Sequence, residues 1–175
     1  MSVKTHQGAG TFSINLPLDG SPGIEPRTGG STNDHTVVVT FGSPVTVTGS
    51  PQATVFGIGC VGSGGTCSPN GAVSVSGNTV TIPLTNVADA QVITIRLNGV
   101  SAPGAPNADV FIQMGILLAD TNGDGSVNSG DTLQTRTRSG QTVDSSNFRS
   151  DVNRDGVINI GDVIVTRSRS GNSLP

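Results

Sequence analysis

The chain has 175 residues, 33% of them hydrophobic and 12% charged, against about 45–50% and about 25% in an ordinary globular domain. Its formal charge of −3 and pI of about 5.1 offer no basic footprint for nucleic acid, and no apolar run approaches the ~18–20 residues of a membrane-spanning helix. Twenty-five glycines with abundant valine and threonine favour short strands and turns over helices, so a mainly β, extracellular or cell-surface (secreted) chain is expected.

Residues 1–10 lack the basic, apolar and small-residue stretches of a signal peptide and are expected to be an added start or a flexible lead. From residue 11 to residue 118 apolar and polar residues alternate in short bursts: Phe12, Ile14, Leu16; Val37, Val39, Phe41; Val45, Val47; Thr54 to Phe56. Val73 and Val75, then Ser76-Gly77-Asn78, then Val80 and Ile82 read as a hairpin with glycine at the tight position. Val92 and Thr94, or Ile93, Ile95 and Leu97 on the other face, and finally Val110 to Leu118, complete the set. Seven or eight strands at this spacing predict an antiparallel β-sandwich, Ig-like in size, over 11–118. Prolines at 17, 44, 51, 83, 103 and 106 are expected at strand ends or in loops, where a missing N–H does least harm.

Cys60 and Cys67 flank a glycine-rich loop that does not order itself, and a disulfide closing it fits an oxidising compartment. Zinc needs more ligands than two thiols, and no histidine lies near them in the sequence. His6 and His35 sit in no nucleophile or metalloenzyme motif. Asp34 beside His35 reads as a solvated turn, and Glu25 and Arg27 as a local ion pair or solvated groups in a Pro/Gly loop. No catalytic residue is expected, and the chain reads as a non-enzyme. Five phenylalanines, at least three in core-like alternation, with no Trp and no Tyr, leave few rings for stacking on sugar. Carbohydrate binding by the sandwich is therefore the less favoured function.

After Leu118 the pattern changes. Residues 120–140 and 151–171 form an internal repeat at an offset of 31, with 12 identities in 21 positions. Each copy reads Asp-x-Asn-x-Asp-Gly-x-x-Asn-x-x-Asp. Oxygen donors at positions 1, 3, 5, 7, 9 and 12 of a twelve-residue loop, with glycine at 6 for the sharp turn, wrap a calcium ion, a hard cation that takes six to eight oxygens. The first set is Asp120, Asn122, Asp124, the carbonyl of Ser126, Asn128 and Asp131; the second is Asp151, Asn153, Asp155, the carbonyl of Val157, Asn159 and Asp162. Position 9 acts directly or through water. Two calcium ions are expected, and magnesium, which prefers a tight octahedron and keeps its waters, is disfavoured.

Residues 130–139 and 161–170 predict short helices following each loop, with arginines near their ends and Gly140 and Gly171 as caps. Asp144 is expected to N-cap a short helix through 147–149, with Phe148 and Leu117 as core anchors, and Val127 and Ile158 to pair the two loops.

This doubled loop and helix resembles the type I dockerin domain over 117–175. The resemblance implies a compact two-calcium α-helical domain at 119–175, behind an Ig-like or cohesin-like sandwich. It implies a module that docks a secreted, often bacterial, protein onto a cohesin partner. It places the cohesin-facing residues at Ser129, Gly130, Arg136, Thr137, Ile160, Gly161, Arg167 and Ser168. The competing expectation is a calcium-stabilised tail packed in cis on the sandwich, suggested by the short junction at 118–120, which leaves no flexible linker.

Overall fold

A computed structural model describes all 175 residues. Two facing sheets hold β1 (Ser2–His6), β2 (Gly10–Ile14), β3 (Gly23–Glu25), β4 (His35–Thr40), β5 (Thr46–Val47) and β6 (Ala53–Phe56). They continue with β7 (Cys60–Ser63), β8 (Thr66–Cys67), β9 (Ser74–Ser76), β10 (Thr79–Thr85), β11 (Gln91–Ser101) and β12 (Ala108–Ile116). One sheet runs β2-β1-β4-β10-β7-β8, with β9 also on β10; the other runs β3-β12-β11-β5, with β6 also on β11. The architecture is the mainly β sandwich that the alternation predicts.

Period-two alternation decides which side chains enter the core. Val37 and Val39, Val80, Ile82 and Leu84, and Ile93, Ile95 and Leu97 all point inward and, with Ile112, Met114 and Ile116, belong to one cluster of 18 buried residues. The Gly77-Asn78 turn joins β9 to β10 with Ser76 opposite Thr79, and Gly77 takes φ +58°, the left-handed region that glycine enters without strain.

Several expectations are corrected. Residues 2–6 are not a lead: β1 pairs with both β2 and β4, and Ser2, Lys4 and His6 are buried. Twelve strands replace seven or eight, one pair, β3 on β12, is parallel, and Pro83 sits inside β10 opposite Thr36 rather than at a strand end. The Cys60–Cys67 segment is itself ordered, as the β7–β8 hairpin, with a disulfide across it and a Cα–Cα separation of 5.7 Å. No phenylalanine belongs to the 18-residue core. Phe56 and Phe111 pair with Thr94 and Arg96 on the outer face of β11 and are 51% and 55% exposed.

His35 and Asp34 are no solvated pair. His35 lies on the core face of β4, where burial, reinforced by the nearby Lys4 ammonium, holds its pKa down to about 3. The Asp34 carboxylate accepts from Thr85 Oγ1 and from the Gly64 N–H. Glu25 and Arg27 form an ion pair at full burial. Burial alone pushes Glu25 up, but the Arg27 guanidinium outweighs it and brings the pKa down to about 2.

Beyond β12 the chain enters the two loops and their helices, α1 (Ser129–Arg138) and α2 (Ile160–Ser168). A second cluster, Leu117, Ala119, Val127 and Val152, lies under the loops, with Ile24, Val165 and Leu174 against it. Val127 and Ile158 do not pair with each other. Val127 exchanges backbone hydrogen bonds with Gly171 and Asn172, and the Ile158 carbonyl accepts from Gly140. Each loop is thus bonded to the segment that follows the other copy's helix. Phe148 opens a 3-10 turn over 148–150, flanked by Asn147 rather than capped by Asp144, whose carboxylate accepts from Ser146 instead. Leu117 is fully buried as expected, whereas Phe148 is half-buried.

Candidate metal centre and helical face

The loops are curled by their own carboxylates. Asp120 Oδ1 accepts from the N–H groups of Gly123 (2.7 Å) and Asp124 (3.2 Å), and its Oδ2 accepts from Gly125 (2.9 Å). Asp151 Oδ2 accepts likewise from Gly156 (2.9 Å), while its Oδ1 is buried with no hydrogen-bond partner. Gly125 and Gly156 make the turn at φ +86° and +87°. The closing carboxylates tie each loop's start to its helix: Asp131 accepts from Thr121, Asn122 and Asn128, and Asp162 from Asn153 and Asn159.

Position 9 does a second job that the spacing alone does not reveal. Asn128 and Asn159 are the N-caps of α1 and α2, each accepting at 2.6 Å from the following glycine and completing a capping box with Asp131 or Asp162. A Cβ on Gly130 or Gly161 would lie 3.0 or 2.9 Å from that capping oxygen, so a side chain there would crowd the cap. The helices span ten and nine residues, below the ~12–15 at which isolated helices become even marginal, and α1 buries only Asp131 and Thr135. Their order draws on the capping boxes at the loop ends and on their packing against each other.

Single oxygens of Asp151, Asp155 and Asp162 lie within 4.8 Å of one another. Burial pushes the Asp162 pKa up to about 6, and the Asp151 and Asp155 charges add to it; burial also raises Asp120, with Asp131 adding. The folded pKa of Asp162 exceeds its unfolded value, so its protonation stabilises the ion-free fold at low pH and that contribution fades as pH rises through about 6. Calcium competes with the same proton. The shift in melting temperature on adding calcium is therefore expected to be larger at pH 7.5 than at pH 5, as a thermal scan with and without chelator will report.

An all-oxygen donor set with converging carboxylates and one orphaned buried oxygen fits a hard divalent cation. Residues 118–167 match the dockerin type I domain family. No curated protein and no solved structure matches the chain. That family is one of calcium-dependent, non-catalytic docking modules, and the matched segment follows the sandwich directly. No helix is long and apolar enough to cross a membrane.

On the dockerin segment, Ser129, Arg136 and Arg167 come together with Thr132, Leu133 and Ser170 around an open concavity of about 390 Å³. Gly130, Thr137, Ile160, Gly161 and Ser168 lie outside it. Leu133, Ile160 and Ile164 are 64%, 67% and 60% exposed, a large apolar share for two short helices. Leu133 and Ile164 were not among the expected partner residues; their helical position with no core to face is the signal that finds them.

The sandwich reaches this segment through residues that no local pattern singles out. His6 Nδ1 lies 2.8 Å from Asp151 Oδ2, and the Arg27 guanidinium carbon lies 5.0 Å from the centre of the Phe148 ring. Phe12 stacks on Phe148 at 5.2 Å. The main-chain N–H groups of Gln7 and Thr28 donate to the carbonyls of Arg154 and Val152. A Cβ on Gly156 would meet the Gln7 carbonyl oxygen at 1.7 Å, whereas one on Gly125 meets nothing within 4 Å. Alanine at either position carries a left-handed strain of about 1–2 kcal/mol. Gly156→Ala adds an overpacking penalty of about 1–3 kcal/mol. Calcium-saturated thermal unfolding should place Gly156→Ala below Gly125→Ala; equal losses would mean that the hairpin does not press on the second loop.

Proposed function

We propose that the chain is a non-catalytic, calcium-binding interaction module that docks a secreted or surface protein onto a cohesin-type domain through α1 and α2. The observation that carries this reading is the doubled loop with each closing carboxylate seated in a capping box, so that ion binding and helix order are one event. The ions would be held by Asp120, Asn122, Asp124, the Ser126 carbonyl, Asn128 and Asp131, and by Asp151, Asn153, Asp155, the Val157 carbonyl, Asn159 and Asp162. Bound calcium supplies positive charge that offsets the confined carboxylates, whose repulsion otherwise opposes the fold. The docking face consists of Ile160, Ile164 and Leu133 beside Arg136 and Arg167, with Ser129, Gly130, Thr137, Gly161 and Ser168 around them. An extracellular or cell-surface setting agrees with the Cys60–Cys67 disulfide.

Calorimetry with a panel of cohesin domains in saturating calcium tests the reading. Binding is expected for at least one cohesin. It should be lost on adding chelator, and Ile160→Asp with Ile164→Asp should weaken it at least ~100-fold, the scale of an interface hot spot, while leaving the melting temperature nearly unchanged. No binding to any cohesin removes the docking claim.

A second reading has its own support. The His6–Asp151, Arg27–Phe148 and Thr28–Val152 contacts favour a tail whose calcium loops also brace the sandwich in cis. Chelation that leaves the sandwich transition unchanged would set this reading aside.

A further inference from the structure

The two loops are near copies, yet the sandwich grips only one of them at its opening carboxylate. Asp120 is held by N–H groups of its own loop alone. Asp151 Oδ2 is shared between the Gly156 N–H and His6 Nδ1, and both side chains of that contact are fully buried. The other His6 nitrogen, Nε2, lies 3.2 Å from Arg27 Nη1. A guanidinium only donates, so Nε2 accepts and Nδ1 carries the hydrogen given to Asp151. Arg27 is fixed in turn by two bonds to Glu25, of 2.6 and 2.7 Å, and the Phe12 and Phe148 rings meet His6 edge-on at 5.3 and 6.2 Å. The imidazole therefore has no freedom to turn away. With Oδ2 engaged twice, the buried and unpartnered Oδ1 is the oxygen that Asp151 leaves for an ion.

We propose that His6, on the sandwich, is a positioning residue of the second calcium site: by holding Asp151 Oδ2 it presents Oδ1 to the ion, so that calcium affinity at this loop depends on the docked β1–β2 hairpin, whereas affinity at the first loop does not. The inference rests on the calcium reading above. It makes two loops with the same side-chain donor types at the same positions unequal in function. The Gln7-to-Arg154 backbone bond seats the hairpin at the same place, and Arg154 there adopts φ +64°, a left-handed conformation that its counterpart in the first copy, Gly123, reaches as glycine.

Two near-isosteric variants separate the His6 contacts. In His6→Asn the amide nitrogen takes the place of Nδ1 and still donates to Asp151. In His6→Gln the amide reaches the Nε2 position, keeping Arg27 company and abandoning Asp151. Each is made in the full chain on two backgrounds, Asp120→Ala to isolate the second site and Asp151→Ala to isolate the first. Calcium affinity is then read by chelator-competition titration, with circular dichroism in saturating calcium to follow folding. At the second site His6→Gln is expected to weaken calcium about 10–100-fold, the usual effect of losing an outer-shell partner, while His6→Asn stays close to the parent. At the first site neither changes affinity. Equal affinities for the two variants at the second site, or a parallel loss at both sites, overturns the proposal. A parent chain that binds no calcium at all overturns the calcium reading and this inference with it.

Discussion

Replacing Asp120 and Asp151 together by alanine should abolish the response of the chain to calcium. Each opening aspartate nucleates its loop by accepting main-chain N–H groups from within it, so its loss removes both a ligand and the hydrogen bonds that curl the backbone. A site held at a free ion concentration about 1,000 times its dissociation constant contributes about 4 kcal/mol to stability, and two such sites contribute about twice that. This is comparable with the whole stability of a small domain, about 5–15 kcal/mol. The parent chain should show a large rise in melting temperature and a gain of helical dichroism on adding calcium; the double variant should show neither. Hydrogen exchange should place the lost protection mainly in 120–175. A double variant that still responds fully would mean that the ions bind elsewhere.

Arg27→Ala should destabilise the chain by about 3–5 kcal/mol, because it leaves a buried carboxylate without its partner. Arg27 satisfies both Glu25 oxygens and donates to the Phe12 carbonyl and to His6. The pair is not expected to be a large net gain over apolar residues of similar size, since withdrawing two charges from water offsets much of their attraction. The combined variant Glu25→Gln with Arg27→Met should therefore be damaged less than Arg27→Ala alone. Urea unfolding monitored in saturating calcium measures both. If the combined variant is the worse of the two, the pair contributes through its charge and not only through the cost of breaking it.

Legibility in the sequence follows the range of the interactions. The sandwich strands announce themselves because inward valines and isoleucines recur every second residue, as in Val80, Ile82 and Leu84 or Ile93, Ile95 and Leu97. The calcium loops are legible because all their carboxylates fall within twelve residues. β1 is hidden because its buried face is Ser2, Lys4 and His6, polar groups satisfied by partners such as Glu25 and Asp151 far along the chain. Lys4 donates to the carbonyls of Thr28 and Asp34, so a strand that looks solvated is enclosed. Phe56 and Phe111 mislead in the opposite direction: their ring size suggests a core, but the register on β11 sets them beside Thr94 and Arg96. The asparagine caps at position 9 stay unseen until the helix start is fixed, since the same residue type serves a metal or an N–H group equally well.

β12 ends at Ile116 and the first loop opens at Asp120, with Leu117 and Ala119 between them bonded to the carbonyls of Glu25 and Pro26. No hinge separates the two halves. Whatever seats on α1 and α2 thereby sets the bearing of the sandwich as a stiff arm, fixing which way its far loops point. A swinging tether would sweep a broad volume around its anchor; this geometry holds one heading.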